Sequence, residues 1–320
     1  MVVIPDAVLL PSDECYSLQQ AMLLHCGGEM RSRIALLDVH DGHLDLTKGD
    51  DVIKRFREGV GMNFLQFGAA YYPWLNTTIM QPSEISYKQI SNLDDFADIL
   101  LTEVNANLAA KFIKEGRAEE IKAVIAQLKD RNADTDLVSN TLKAVSPIFK
   151  EVISDLLAFQ NVLPPSAAMA GVLTMVDNAV GVHKAPANVS VSAVKSPTVN
   201  ISNDSQEDLN LPLSGKAVNA IRSFVGKGVL CWGARTLDGN SQDWRYINVR
   251  RTLIMIEQSV KIAAEAYVFE PNDANTWLSI KSMLNNFLVN QWRASQLAAN
   301  CRNVFNRHML RCIQTEAFYP

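Results

Sequence analysis

Four short stretches of the 320-residue chain hold residue types that could do chemistry. His40-Asp41-Gly42-His43 brings together two imidazoles and a carboxylate, donor types that ligate metals. No distant Cys or Glu completes a coordination set, and a hydrophilic turn closing the preceding strand accounts for the same residues. Gly226-Lys227-Gly228 has the composition of a phosphate loop, but its glycine spacing is wrong and no Ser or Thr follows the lysine, so a turn before a strand explains it. Ser166 lacks the flanking glycines of a nucleophile elbow. Gly59-Val60-Gly61 is followed by neither a third glycine nor an acidic ribose partner. Cys15, Cys26, Cys231, Cys301 and Cys312 form an odd set without a CxxC pair, which points to reduced thiols in a cytoplasm rather than a disulfide framework or a zinc site. No catalytic residue, metal or cofactor is expected. A cytoplasmic α/β enzyme stays as the rival reading, motivated by strand-helix alternation and the His40 to His43 cluster.

Charge clusters elsewhere. Arg235, Arg245, Arg250 and Arg251 stand near Asp238, Asp243, Glu257 and Glu270, as an ion-pair network within a subunit or as the charged face of an interface. Trp232, Trp277 and Trp292 sit in apolar patterns and read as core, whereas Trp244 lies in a polar loop that suits an interface anchor. The interface candidates are therefore Arg235, Trp244, Arg245, Arg250, Arg251 and Glu257.

The elements that position these residues alternate in type. The chain is 48% hydrophobic and 20% charged, an ordinary globular composition, and its net charge of −4 removes the broad basic surface that phosphate neutralisation needs. Nucleic acid is not an expected partner. Met1 to Leu10 has no basic leader, and no window reaches the roughly 20 apolar residues of a membrane span, so a soluble chain is expected. Asp13 to Cys26 reads as a helix stopped by Gly27-Gly28, with Tyr16 a poor fit. Ile34 to Val39 reads as a buried strand, Asp51 to Val60 as a helix, and Ala69 to Tyr72 as a strand ended by Pro73.

From about Leu93 to Leu157 the sequence turns helical, with stripes at Ile121, Val124, Ile125 and Leu128 and at Phe149, Val152, Ile153, Leu156 and Leu157, and a turn at Asn132 to Asp136. Pro164-Pro165 marks the return to the main fold, with Ser166 as a helix N-cap. Ala185 to Pro212 reads as strands and loops, with a polar, acidic turn at Ile201 to Asp208. Gly228 to Trp232 reads as a strand, and Val249, Leu253, Ile256, Val260 and Ala263 as one helical stripe. A short strand is expected at Ala266 to Phe269, then a helix capped by Pro271-Asn272-Asp273 with Trp277, Ile280, Leu284, Phe287 and Gln291 on one face. The fold class is α/β, or mixed α+β: a mixed sheet flanked by helices, with an inserted helical subdomain. The expected divisions are 1–79, 80–160, 161–210 and 211–320.

Several blocks in order resemble the contractile tail-sheath family of phage tails and phage-tail-like injection particles. They are Asn219 to Phe224, Gly228 through Thr236, Trp244 through Arg251, Phe269 to Asp273, Trp277 and Phe287-Leu288. Pro164-Pro165-Ser166, Ala170-Gly171-Val172, His183 to Asn188 and Ala70 to Trp74 add upstream blocks, so the resemblance covers about 1–79 and 161–293. The resemblance implies a structural subunit with no enzymatic role, made in the cytoplasm and built into a phage tail or phage-tail-like particle. Its implied partners are copies of itself in stacked rings, an inner tube, and baseplate and cap proteins. Family members carry an amino-terminal arm before the position of Met1 and a Gly-Ala-rich turn with a closing strand after Trp292-Arg293, and neither matches this sequence. A non-contractile assembly protein with a sheath-like core is the alternative that these departures motivate.

Overall fold

The apolar run ending at Val39 forms strand β2 (Ala35–Asp38). In the computed structural model, which describes residues 1–45, 51–129 and 135–293, it pairs in parallel with β1 (Val2–Val3) and with β3 (Gly68–Tyr72). β8 (Val218–Phe224) extends the parallel set beside β3, and β9 (Gly228–Cys231) and β6 (Val189–Ser190) add antiparallel strands, giving the order β1-β2-β3-β8-β9-β6. Every residue of β2 and β3 is buried, as a parallel sheet covered on both faces requires. Helices α1 (Ser12–Leu24) and α2 (Val52–Gly59) bring Tyr16, Leu23, Ile53 and Phe56 against Ala35, Leu37, Ala70 and Tyr72. Strand alternation turns Leu36, Asp38 and Tyr71 to the opposite face, and α7 (Ser166–Ala179) packs on β1 and β2. Mixed sheet and flanking helices match the expected fold class.

The chain divides into two compact units, the first comprising 1–73, 164–192 and 199–320 and the second 74–163 with 193–198. The second holds α3 (Leu93–Ala109), α4 (Glu115–Ala126), α5 (Thr135–Val145) and α6 (Pro147–Gln160), with a small antiparallel sheet ordered β5 (Val162–Leu163), β4 (Leu75–Thr77), β7 (Val194–Pro197). Its core is Phe96, Leu100, Ile121, Ile125, Leu142, Phe149 and Ile153, with the Phe96 and Phe149 rings stacked 5.8 Å apart. Ser146 caps α6 by accepting from the Phe149 N–H at 3.0 Å, and Pro147 fits the first helical position because no N–H is needed there. The turn expected at Asn132 to Asp136 lies partly outside the described residues, and Thr135 and Asp136 already belong to α5.

Four local expectations are corrected. Gly27-Gly28 does not stop the first helix: a π-helical stretch, His25–Met30, carries the chain on to Arg31 at φ 50°. A Cβ on Gly27 would lie 2.6 Å from the Phe64 side chain, so close approach is what requires glycine there. Tyr16, read as a poor fit, is a buried residue of α1. The acidic segment at Ile201 to Asp208 is helical in α8 (Asn203–Asn210), because Ser202 accepts from the Ser205 N–H and Leu209 anchors the turn in the core. Ala266 to Phe269 makes no strand: among the described residues it has no ladder partner, Ala266 and Tyr267 belong to the 3-10 turn Glu265–Tyr267, and Val268 and Phe269 are exposed.

Candidate assembly surface

The segment from β8 to the helix α9 (Ile247–Ala264) is organised by Asn219, whose side chain is buried. Its amide donates to the Ala70 and Arg235 carbonyls at 3.1 and 2.8 Å, and its oxygen accepts the Arg235 N–H at 2.7 Å. Gly233 passes so close that a Cβ would stand 2.7 Å from that oxygen. The loop is thus fastened to β3 and β8, and the Thr236 N–H to Arg245 carbonyl and Ile247 N–H to Ala234 carbonyl bonds close it into a hairpin-like arch.

On this arch the six candidate residues separate. Arg250 is only 6% exposed, and its guanidinium sits 4.2 Å from the Phe67 ring centroid and 4.8 Å from that of Trp244, with Glu257 at 3.5 Å. Burial lowers its pKa, and Glu257 opposes that shift. Arg251 makes a two-pronged ion pair with Asp177 on α7, one arm at 2.9 Å. These contacts occupy Arg250, Arg251, Glu257 and Trp244 within the first unit. Arg235 and Arg245 lie over the Tyr246 ring at 5.7 and 5.1 Å, and Tyr246 is 42% exposed, which makes this trio the outward part of the arch.

Beside the arch, Trp232 is 37% exposed and packs against Phe224 at 4.5 Å, so it is a surface aromatic rather than the expected core residue. Trp292 is likewise exposed. The expected stripe on α9 holds at Ile256 and Val260 and shifts at the start of the helix, where Ile247 and Ile254 are buried and Val249 faces out. The shift follows from the two surfaces α9 meets, the main core through Ile254 and the helix α10 (Ala274–Arg293) through Ile256 and Val260 with Leu284 and Leu288. Asp273 caps α10 by accepting the Thr276 N–H at 2.8 Å.

The buried polar pair Asp38 and Ser166 lay beyond the sequence reading. Ser166 is the first residue of α7 rather than its N-cap, and both its N–H, at 2.7 Å, and its hydroxyl donate to the Asp38 carboxyl. Asp38 is 3% exposed, and burial pushes its pKa up to about 7 against the two hydrogen bonds that pull it down. A carboxylate inside an apolar strand was the available signal; its partner is 128 positions away. Of the chemical candidates, His40 packs its Nε2 3.1 Å from the Leu10 carbonyl in a turn, and Gly226 and Gly228 shape the β8–β9 hairpin tip with φ of 75° and 77°. Among the described residues no three His, Cys, Asp or Glu side chains are grouped to hold a metal, and no helix is long and apolar enough to cross a membrane.

Residues 240–306, from the second half of the arch through both following helices, match the phage tail sheath C-terminal domain family. The tail sheath protein of Vibrio phage KVP40 (isolate Vibrio parahaemolyticus/Japan/Matsuzaki/1991) is 32% identical over 73 residues, 23% of this chain and 11% of that protein. Over that stretch the chain is similar to tail sheath proteins. A chain of the contracted sheath complex of the extracellular contractile injection system PVC is 25% identical with a TM-score of 0.51, covering 83% of this chain and 50% of that one. A chain in the contracted baseplate of the anti-feeding prophage has the same fold at a TM-score of 0.58 and 24% identity, covering 92% and 55%. The chain thus spans about half the length of those solved chains.

Proposed function

We propose that this chain is a structural subunit of a contractile sheath, assembling with copies of itself in stacked rings around an inner tube, and that it acts through assembly rather than catalysis. The observation that carries the reading is that the sheath-family match falls on the second half of the arch and on α9 and α10, within a fold similar over most of the chain to sheath-particle proteins. Contraction in such a lattice is a population shift: each subunit contributes a modest difference in contact energy between two arrangements, and many identical subunits sum it. Baseplate and cap proteins complete the partner set, and the subunit is made in the cytoplasm before joining the particle. Of the candidate interface residues, Arg235 and Arg245 with Tyr246 supply the contact face, and Trp244, Arg250, Arg251 and Glu257 hold it in shape. Immuno-electron microscopy of particles from the source cells, with an antibody to this chain, tests the proposal. Labelling along the outside of a striated tube is the expected result; diffuse cytoplasmic labelling without particles would overturn it.

A further inference from the structure

The second unit carries an exposed aromatic knob at one end of α3 and an apolar groove at the other. At the carboxyl end, the Lys111 N–H bonds the Leu108 carbonyl and the Phe112 N–H bonds the Asn107 carbonyl, both at 3.0 Å, a closing motif whose left-handed position is ordinarily glycine. Here Lys111 occupies it at φ 60°. The apolar residue that follows such a motif commonly folds back on its helix; Phe112 is instead 80% exposed, while its neighbour Ile113 packs on the unit's core. Lys111 and Lys114, both exposed, flank the ring. The result is a phenyl group held out from a hydrogen-bonded corner between two cations.

The groove lies between the first turns of α3 and the middle of α6. Ile90, Phe96, Ile99, Val152 and Leu156 form its apolar lining, with a volume of about 350 Å³, and Ile99 is half-exposed. Asp95 is the one charged residue among those lining it, and the exposed Asp98 and Asp155 stand beside it on the same two helices. Asp95 also suits the positive end of α3, but Asp98 and Asp155 lie outside that first turn.

We propose that Phe112 of one copy seats in the α3–α6 groove of a neighbouring copy, with Lys111 and Lys114 facing the acidic border. The knob cannot serve its own groove, because about 13 residues of helix separate Ile99 from Phe112, roughly 20 Å at 1.5 Å per residue. Knob and groove are different patches, so contacts made one way propagate as a ring or a helix, whereas a reciprocal pair closes as a two-fold dimer. The inference goes beyond the sheath reading, whose family match lies in the first unit.

The test is photo-crosslinking of the full chain carrying benzoylphenylalanine at position 112, mixed with an isotope-labelled copy so that links between copies are identified by mass. Links to residues 89–99 and 152–156 of the labelled copy are expected. Their yield should fall about tenfold with Ile99→Lys in the acceptor or with Lys111→Glu and Lys114→Glu in the donor, as for loss of an interface anchor. Pairing that donor with an Asp95→Lys, Asp155→Lys acceptor should restore it. Links mapping elsewhere, no links between copies, or yields unmoved by the charge swap would each overturn the proposal. Normally labelled striated particles in which position 112 gives no such links would sink this contact and leave the sheath reading standing.

Discussion

Replacing Asp38 with asparagine should change how the stability of the first unit responds to pH. In the unfolded chain the carboxyl titrates near 3.8, and in the folded protein burial moves it to about 7. Below 3.8 both states hold the proton and the group's contribution to stability is full. As pH rises from there the unfolded chain releases its proton while the folded one keeps it, so stability falls. The loss is complete above about 7, where both states are ionised. About three pH units at 1.36 kcal/mol each give a loss of roughly 4 kcal/mol. Asparagine has nearly the same shape and does not titrate; its oxygen can accept the Ser166 N–H and its amide can donate to the Ser166 hydroxyl oxygen. The Asp38→Asn protein should therefore gain on the parent by roughly 4 kcal/mol between pH 4 and pH 8. Urea denaturation followed by tryptophan fluorescence measures the difference, because Trp232, Trp244, Trp277 and Trp292 all lie in the first unit and only Trp74 in the second. A gap between the two proteins that stays constant with pH would refute the buried-carboxyl argument.

Arg250→Ala should destabilise the first unit by about 2–4 kcal/mol, since it empties the space between two rings and removes the ion pair to Glu257, and Arg250→Lys should recover less than half of that for want of a planar group; equal midpoints for lysine and arginine in denaturation would count against the stacking account. Asn219→Ala should cost about 2–4 kcal/mol by leaving the Ala70 and Arg235 groups unpaired, and it should raise hydrogen exchange at the Arg235 amide; a protected Arg235 amide in the variant would contradict the assigned bond. Burial raises the Cys15 and Cys231 thiols to about 11, so the folded protein should alkylate at these two positions at least about a hundredfold more slowly than the urea-unfolded chain at pH 8, read by peptide mass after iodoacetamide. Rapid native labelling at either would mean that the site opens.

Local pattern was enough for the elements whose partners are interchangeable. β2 and β3 are buried throughout and, Asp38 apart, carry no charge, because any covered sheet face accepts them, and the α6 stripe from Phe149 to Leu157 needs only some apolar neighbour. The aspartate that interrupts the β2 run and the tryptophan in the arch were visible as residues out of keeping with their surroundings, and what they touch was not. Asp38 meets Ser166 across 128 positions, and Arg250 lies between Phe67 and Trp244, one ring distant in sequence and one near. Which turn of α9 faces inward, Ile247 rather than Val249, was decided by the two surfaces that the helix meets at once. Periodicity in a sequence reports that a face is buried. The partner on that face, and therefore the pKa, the ion pairing and the residues left outside for assembly, depends on contacts between distant segments that exist only once the sheet and helices have closed on each other.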